Sequence, residues 1–289
     1  MPRYGSSVIP LHDITINNRT KLMSDEMSNP LGHIKTELEG STCWIIFDNP
    51  TRMNALNSTM WAALPKIIDE AQRNDTVRVV ILKGKGGKAF SAGADISEFG
   101  SVRTGDAAKD YDELNHAAFG AVMECAKPTI AMIEGYCMGG GLELALCCDL
   151  RYAAQGSNFA IPAAKLGIGY NPRWIRPLFS ALSATQAKEV LFTGRRFSGE
   201  EAITMGMITR LLSPDELILE TRKLAGQIAE NAPLSVYAAK RCIDEFLRAP
   251  ENPDMNALDE LVQACFDSED YAEGRTAFTE KRTPVFKGK

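Results

Sequence analysis

Apolar positions in the first half of the chain either alternate with polar ones or run unbroken over five or six residues. Alternation is typical of a strand with one buried face, and an unbroken run is typical of a strand buried on both faces. Gly40-Ser41 separates two of these segments, which predicts a hairpin. The predicted strands are residues 34–39, 42–47, 77–82, 129–133, 150–154 and 158–161.

Apolar residues at helical spacing occur between these strands and dominate the second half of the chain. Asn57 or Ser58 can cap a helix that runs to about Arg73, and Pro128 follows a helix predicted over 107–126. Beyond Ser183 the pattern is helical. The segments there are 184–193, 199–205, 214–230, 233–248 and, with breaks, 254–281. Strand–helix alternation followed by helices predicts an α/β core with a C-terminal helical region.

Composition and charge exclude several classes of function. The chain has 289 residues and a formal net charge of −5, which gives no electrostatic reason to expect nucleic acid as a partner. No run approaches the ~20 apolar residues of a membrane span. Residues 1–33 hold prolines and mixed charges without an apolar stretch, so we expect a flexible arm and no secretory signal. Seven cysteines without metal-ligand spacing favour free thiols in the cytoplasm and no metal site.

Two glycine-rich segments, residues 88–96 and 135–145, each follow a strand and precede a helix. Small residues at 91–94 let a ligand approach the backbone closely. Glycines 139–141 open a helix whose first N–H groups have no intrahelical acceptor, and Glu143 lies about one turn into it. Either segment alone is explained better by tight packing or, for Glu143, by a solvated charge, and neither matches a phosphate-binding loop.

Together the two segments resemble motifs of the crotonase superfamily, which includes enoyl-CoA hydratases and isomerases. Lys88-Ala-Phe-Ser-Ala-Gly-Ala-Asp-Ile96 is similar to that family's AFxAGADI, and residues 135–149 are similar to its GxxxGGGxELALxCD. The likeness continues through residues 192–198, 202–207 and 273–282, and covers roughly 36–287. It implies a crotonase-like spiral of ββα units over 34–230. A C-terminal helical trimerisation region over 231–289 and assembly as a homotrimer or dimer of trimers are implied as well.

The resemblance also implies the residues of the site. The backbone N–H groups of Ala94 and Gly140 would hold the thioester oxygen as an enolate forms, with Glu143 as the acid–base residue. The substrate would be an acyl-coenzyme A thioester, with no permanently bound cofactor and neither nucleic acid nor membrane as partner. Residues implied to contact coenzyme A are Arg52, Lys88, Ala92, Asp95, Ile96, Phe278 and Lys281.

The sequence departs from the hydratases of this family at one position. Their second glutamate corresponds to Ala163, and no Asp or Glu occurs from Leu150 to Lys188. Glu143 alone can serve as acid and base. Alternatively Tyr170 supplies the missing group, which is less plausible for Lys165 or Arg173.

Other chemistries also use such an oxyanion site. Thioester hydrolysis, decarboxylation and retro-Claisen cleavage therefore stay open, as does a catalytically weak scaffold. RNA binding is disfavoured, because the cations Lys66 and Arg73 on helix 58–73 are offset by Asp69 and Glu70. The sequence favours a hydratase/isomerase-type enzyme.

Overall fold

The computed structural model describes residues 32–102 and 107–289. The described residues form one compact unit, in which the C-terminal helices are included. The proposed boundary at residue 230 stays a prediction. The proposed N-terminal arm, residues 1–33, lies almost wholly outside the described residues.

Ten strands within the described residues form two sheets. The larger has the order β1-β2-β3-β5-β7-β10, and the smaller has the order β4-β6-β8-β9. Antiparallel pairing is confined to β1–β2 and β8–β9, and the other pairs are parallel. The strands are β1 (His33–Glu39), β2 (Thr42–Asp48), β3 (Val79–Gly84), β4 (Ala89–Ser91), β5 (Thr129–Ile133), β6 (Tyr136–Met138), β7 (Leu150–Ala154), β8 (Asn158–Ala160), β9 (Phe197–Ser198) and β10 (Arg210–Leu212).

From β3 to β8, consecutive strands alternate between the two sheets. Strands β3, β5 and β7 lie in the large sheet, and the strand after each of them lies in the small one. The chain therefore makes one turn for each strand pair, as a spiral of ββα units requires. Consequently the loops that follow β4 and β6, which are parallel neighbours, lie side by side at one edge of the small sheet.

Eleven α-helices lie within the described ranges, several with side-chain caps. Asn57 Oδ1 accepts a bond from Met60 N (2.8 Å), and Ser183 with Gln186 forms a capping box. The helices are α1 (Ser58–Arg73), α2 (Phe99–Val102), α3 (Ala107–Met123), α4 (Gly140–Leu146), α5 (Ile175–Ala181), α6 (Ala184–Thr193), α7 (Gly199–Thr204), α8 (Pro214–Ala229), α9 (Pro233–Arg248), α10 (Met255–Phe266) and α11 (Glu269–Glu280). No helix in these ranges is both long and apolar enough to cross a membrane.

The central strands of the large sheet are buried on both faces, as the unbroken apolar runs predicted. Val80 and Leu82 pack into the main core beneath α1, α3 and α4, while Val79 and Ile81 pack beneath α8. Alternate residues of one strand thus belong to different cores.

The expectation that the chain is helical beyond Ser183 is wrong at two places. Strand β9 pairs with β8, and β10 pairs with β7, so each sheet receives its last strand from this part of the chain. Both strands are only two or three residues long, too short for hydrophobic periodicity to distinguish from the helical segments around them.

Candidate active site

The loops after β4 and β6 meet backbone against backbone. Gly93 has φ +93°, and a Cβ there would lie 2.7 Å from Met138 O and 3.1 Å from Gly140 N. A Cβ on Gly140 would lie 3.9 Å from Ala94 N. Because glycine has no side chain, the amides of Ala94 and Gly140 can lie close together. We call these two N–H groups the amide pair.

The backbone around the amide pair leaves both donors available. Leu56 N donates to Gly93 O (2.8 Å) and Leu56 O accepts from Asp95 N (2.9 Å). Extended backbone alternates, so the Ala94 N–H between them points away from Leu56. Gly140 is the first residue of α4, where the N–H has no intrahelical acceptor. The amide pair has the composition of an oxyanion hole.

Asn54 holds the loop before α1 against the loop before β4. Its backbone is left-handed (φ 55°), and its Nδ2 donates to Ala89 O (2.7 Å) and Lys85 O (2.9 Å). Leu56 is thereby fixed opposite Ala94. Sequence reasoning missed Asn54, although asparagine is the residue that best tolerates this conformation after glycine.

Glu143 is buried on α4, one turn after Gly140, with 1% of its surface exposed. Residues three apart lie on the same helix face, so Glu143 shares a face of α4 with Gly140. Oε2 accepts a hydrogen bond from the Tyr170 hydroxyl, whereas Oε1 has no hydrogen-bond partner among the described residues. One carboxyl oxygen is therefore held and the other is available.

Burial raises the pKa of Glu143 to about 8, and the hydrogen bond from Tyr170 opposes that rise. Burial, together with the nearby carboxyl group, raises the pKa of Tyr170 well above its ordinary value. At neutral pH both groups are thus mainly protonated, and Glu143 ionises at mildly alkaline pH.

A row of edge-to-face aromatic rings connects the amide pair with Glu143. Ring centroids are 5.5 Å apart for Trp61 and Phe119, 5.9 Å for Phe119 and Trp174, and 5.8 Å for Trp174 and Tyr170. Atoms of the Trp61 ring would lie 3.3–3.4 Å from a Cβ on Gly140, so the row begins beside the amide pair. The sequence analysis did not identify Trp61 and Phe119 as site residues, because helical spacing indicates only that they can lie on the buried faces of α1 and α3.

Ala163 begins a 3-10 helix at Ala163–Leu166 and packs half-buried against the main core. The chain therefore places a methyl group where the resemblance would put a second carboxylate.

Comparison with known proteins identifies the family. The family described as Enoyl-CoA hydratase/isomerase matches residues 37–289. The chain belongs to this family. A short-chain-enoyl-CoA hydratase of Clostridium acetobutylicum is 32% identical over 252 residues, which is 87% of this chain and 96% of the relative. A carnitinyl-CoA dehydratase of Salmonella typhi is 34% identical over 249 residues, 85% of this chain and 94% of that one.

Solved structures of the family give the same result. An enoyl-CoA hydratase/carnithine racemase of Magnetospirillum magneticum superimposes with a TM-score of 0.85 at 36% identity, covering 89% of this chain and 96% of the other. The expected membership of the crotonase superfamily is confirmed, and the protein is an enzyme of the enoyl-CoA hydratase/isomerase family.

Residues expected to contact coenzyme A lie in separate places in this family member. Arg52 Nη1 forms an ion pair with Asp95 Oδ2 (2.6 Å) beside the amide pair, and Ile96 there is 71% exposed. Burial would raise the pKa of Asp95, but hydrogen bonds from Ser97 and Arg52 outweigh it and lower that pKa. Ala92 is exposed in the same loop.

The other expected contacts lie away from this loop. Lys88 is exposed before β4, at the other end of that strand from Ala94. Phe278, 87% exposed, and Lys281 lie at the end of α11. Phe278 borders an apolar groove of about 750 Å³ between α9, α10 and α11.

Proposed function

We propose that the enzyme binds the thioester oxygen of an acyl-coenzyme A at the amide pair and stabilises the enolate that forms. Two preorganised backbone donors stabilise charge that develops in the transition state, and one such donor is typically worth ~2.7–4 kcal/mol. The observation that carries the proposal is the buried Glu143, one turn from Gly140, with one oxygen that has no hydrogen-bond partner among the described residues.

Glu143 is the proposed acid–base residue. Protonated, it delivers a proton to the enolate carbon or to a departing hydroxyl group; ionised, it removes the acidic proton next to the thioester. The hydrogen bond that Tyr170 donates stabilises the ionised form of Glu143 and so offsets part of the rise in pKa that burial causes. Tyr170 thereby brings the pKa of Glu143 closer to neutral pH, where both directions of proton transfer are accessible.

The preferred reaction is proton transfer in an enoyl-CoA, as isomerisation or as slow hydration. Ala163 provides no second carboxylate to hold a water, so robust two-carboxylate hydration is not expected. The aromatic row extends from the amide pair to Tyr170, and its bulky rings support a preference for short acyl groups. Names of relatives, "short-chain" and "carnitinyl", are consistent with this substrate size.

Coenzyme A is proposed to lie along the loop after β4. Ala92, Asp95 and Ile96 would contact it there, with Arg52 anchored by Asp95. Lys88 is separated from Ala94 by six residues, at most ~20 Å of extended chain, which suits a phosphate at the far end of the pantetheine arm. Phe278 and Lys281 would complete the site.

Assembly and location complete the proposal. Large apolar side chains are exposed on α9, α10 and α11, among them Ile243, Phe246 and Phe266, which supports a homotrimer or dimer of trimers. All seven cysteines are free, which supports a reducing compartment such as the cytoplasm.

The test is a panel of enoyl-, hydroxyacyl- and malonyl-type coenzyme A thioesters, assayed with the wild type and with Glu143→Gln. The amide keeps the shape but cannot transfer the proton, so turnover should fall at least ~10²–10⁴-fold. Affinity for coenzyme A, measured by calorimetry, should be almost unchanged. Robust turnover by Glu143→Gln would place the acid–base group elsewhere.

A further inference from the structure

A short loop brings Tyr170 to Glu143, and the residue after Tyr170 fastens this loop to α3. Asn171 Oδ1 accepts a bond from Arg173 N (3.0 Å), which caps the 3-10 helix Pro172–Trp174. Its Nδ2 donates to Asp112 Oδ2 on α3 (3.2 Å). One amide side chain therefore shapes the loop with its oxygen and fastens it with its nitrogen.

Two further contacts join the same loop to α3. Trp174 is buried edge-to-face against both Tyr170 and Phe119 of α3. Arg173 Nη1 lies 2.6 Å from Glu113 Oε1, but both side chains are more than half exposed, so this ion pair is worth little. Of these three contacts, Asn171–Asp112 is both polar and partly buried.

We propose that Asn171 and Asp112 are positioning residues, whose hydrogen bond holds the Tyr170 hydroxyl on Glu143 Oε2 and so sets the acid–base strength of Glu143. This inference rests on the proposed function. Neither residue touches the substrate in this proposal; both act through Tyr170.

The surroundings of Glu143 make its acid–base strength sensitive to a displacement of the loop that carries Tyr170. Within the part of the chain that the structure describes, the titratable groups that face Glu143 are Tyr170, from the loop, and Cys147, the residue that caps the end of α4. Of these, only Tyr170 donates a hydrogen bond to the carboxyl group. A hydrogen bond weakens steeply as its geometry degrades, so a small shift of the loop withdraws the stabilisation of the ionised form.

Asn171→Asp tests the bond selectively. The aspartate keeps the oxygen that accepts from Arg173 N but replaces the amide donor by a carboxylate facing Asp112. We expect kcat to fall about 3- to 10-fold with little change in KM. The part of the pH–rate profile in which the rate increases with pH should move to higher pH, because Glu143 loses a hydrogen bond that lowers its pKa.

A reciprocal exchange provides the rescue. Adding Asp112→Asn to Asn171→Asp places an amide donor opposite the new carboxylate. The double variant should regain the kcat and the pH–rate profile of the wild type. Glu113→Gln, on the adjacent position of α3, is the matched control and should change kcat less than about twofold. If Asn171→Asp does not fold, Asp112→Ala removes the same bond from the helix side.

The decisive readout is a double-mutant cycle with Tyr170→Phe. In that background Asn171→Asp should have less than about a twofold further effect on kcat, because the hydroxyl it positions is gone. Equal losses in both backgrounds, or no loss in either, would overturn the positioning role. Glu143→Gln is assayed in parallel: if it is inactive while the cycle shows no coupling, only this inference fails, whereas full turnover by Glu143→Gln removes the proposed function itself.

Discussion

Glu143 combines two properties that are rarely found in one carboxyl group of a folded protein. It is almost completely removed from solvent, and one of its oxygens has no hydrogen-bond partner among the described residues. Burial disfavours the charged form, and a single hydrogen bond from Tyr170 offsets only part of that penalty. Such a residue costs stability whenever it ionises, which is typical of a group retained for chemistry.

Ionisation of Glu143 makes the stability of the protein depend on pH. The folded state binds this proton more tightly than the unfolded state, so stability is greatest below the ordinary pKa of 4.5 and falls as pH rises towards about 8. The loss amounts to a few kcal/mol, ~5 at most. Glu143→Gln cannot ionise and should escape it. We expect its Tm to match the wild type at pH 5 and to exceed it at pH 9.

The exposed Glu70→Gln is the control for this measurement, and its Tm relative to the wild type should change little between the two pH values. A Glu143→Gln variant that gains no stability at pH 9 would show that the carboxyl group is not buried as described.

Ala163 allows the missing carboxylate to be supplied. Ala163→Glu should raise hydration of a crotonyl thioester by at least ~10-fold if the second group holds and activates water, because general acid–base catalysis is typically worth ~10²–10⁴-fold. Ala163→Gln has the same size without the acid and should not reproduce the gain. Equal rates in both variants would mean that volume, not charge, governs this position.

At the scale of the loops, a glycine at position 93 allows the two N–H groups of the amide pair to lie close together. Gly93→Ala would set a methyl group 2.7 Å from Met138 O, between the two loops that carry the donors. We expect kcat/KM to fall by ~10²–10³, as when an oxyanion donor is lost. The measurement is steady-state kinetics together with Tm.

Gly86→Ala is a matched control, since Gly86 also has a positive φ but its Cβ would approach nothing closer than 3.9 Å. Both variants carry the backbone strain of a left-handed alanine, ~1–2 kcal/mol, and only one should lose activity. Similar activity losses in the two would attribute the effect to strain.

Elements that bury an apolar face over many residues were predictable from sequence, and several of the short ones were not. Helix α1 and strand β5 begin and end where their patterns predict. Strands β9 and β10 are formed by pairing with distant strands, which leaves no local pattern. For the candidate site, the sequence indicated Ala94, Gly140, Glu143 and Tyr170, but the tie between Asn171 and Asp112 depends on how α3 packs, which spacing along the chain does not contain.

At the scale of the whole molecule, the described C-terminal helices α9, α10 and α11 carry many exposed large apolar side chains. We expect light scattering to give a trimer or a hexamer at micromolar concentration. Phe266→Asp would place a charge beside the apolar groove of α9, α10 and α11, and should shift the population towards smaller species. Leu38→Asp, an exposed residue of β1, is the control. A wild-type monomer would contradict this assembly.

The amide pair also bears on how this enzyme can change over generations. Its two donors are main-chain atoms, and among the twenty amino acids only proline lacks the N–H group. Every other replacement at Ala94 or Gly140 can crowd or displace the donor but cannot delete it. The side chains at 143, 163 and 170 have no such protection. If the amide pair holds the enolate as proposed, selection can exchange one reaction of a bound thioester for another at these three codons while the polypeptide backbone itself conserves the two donors.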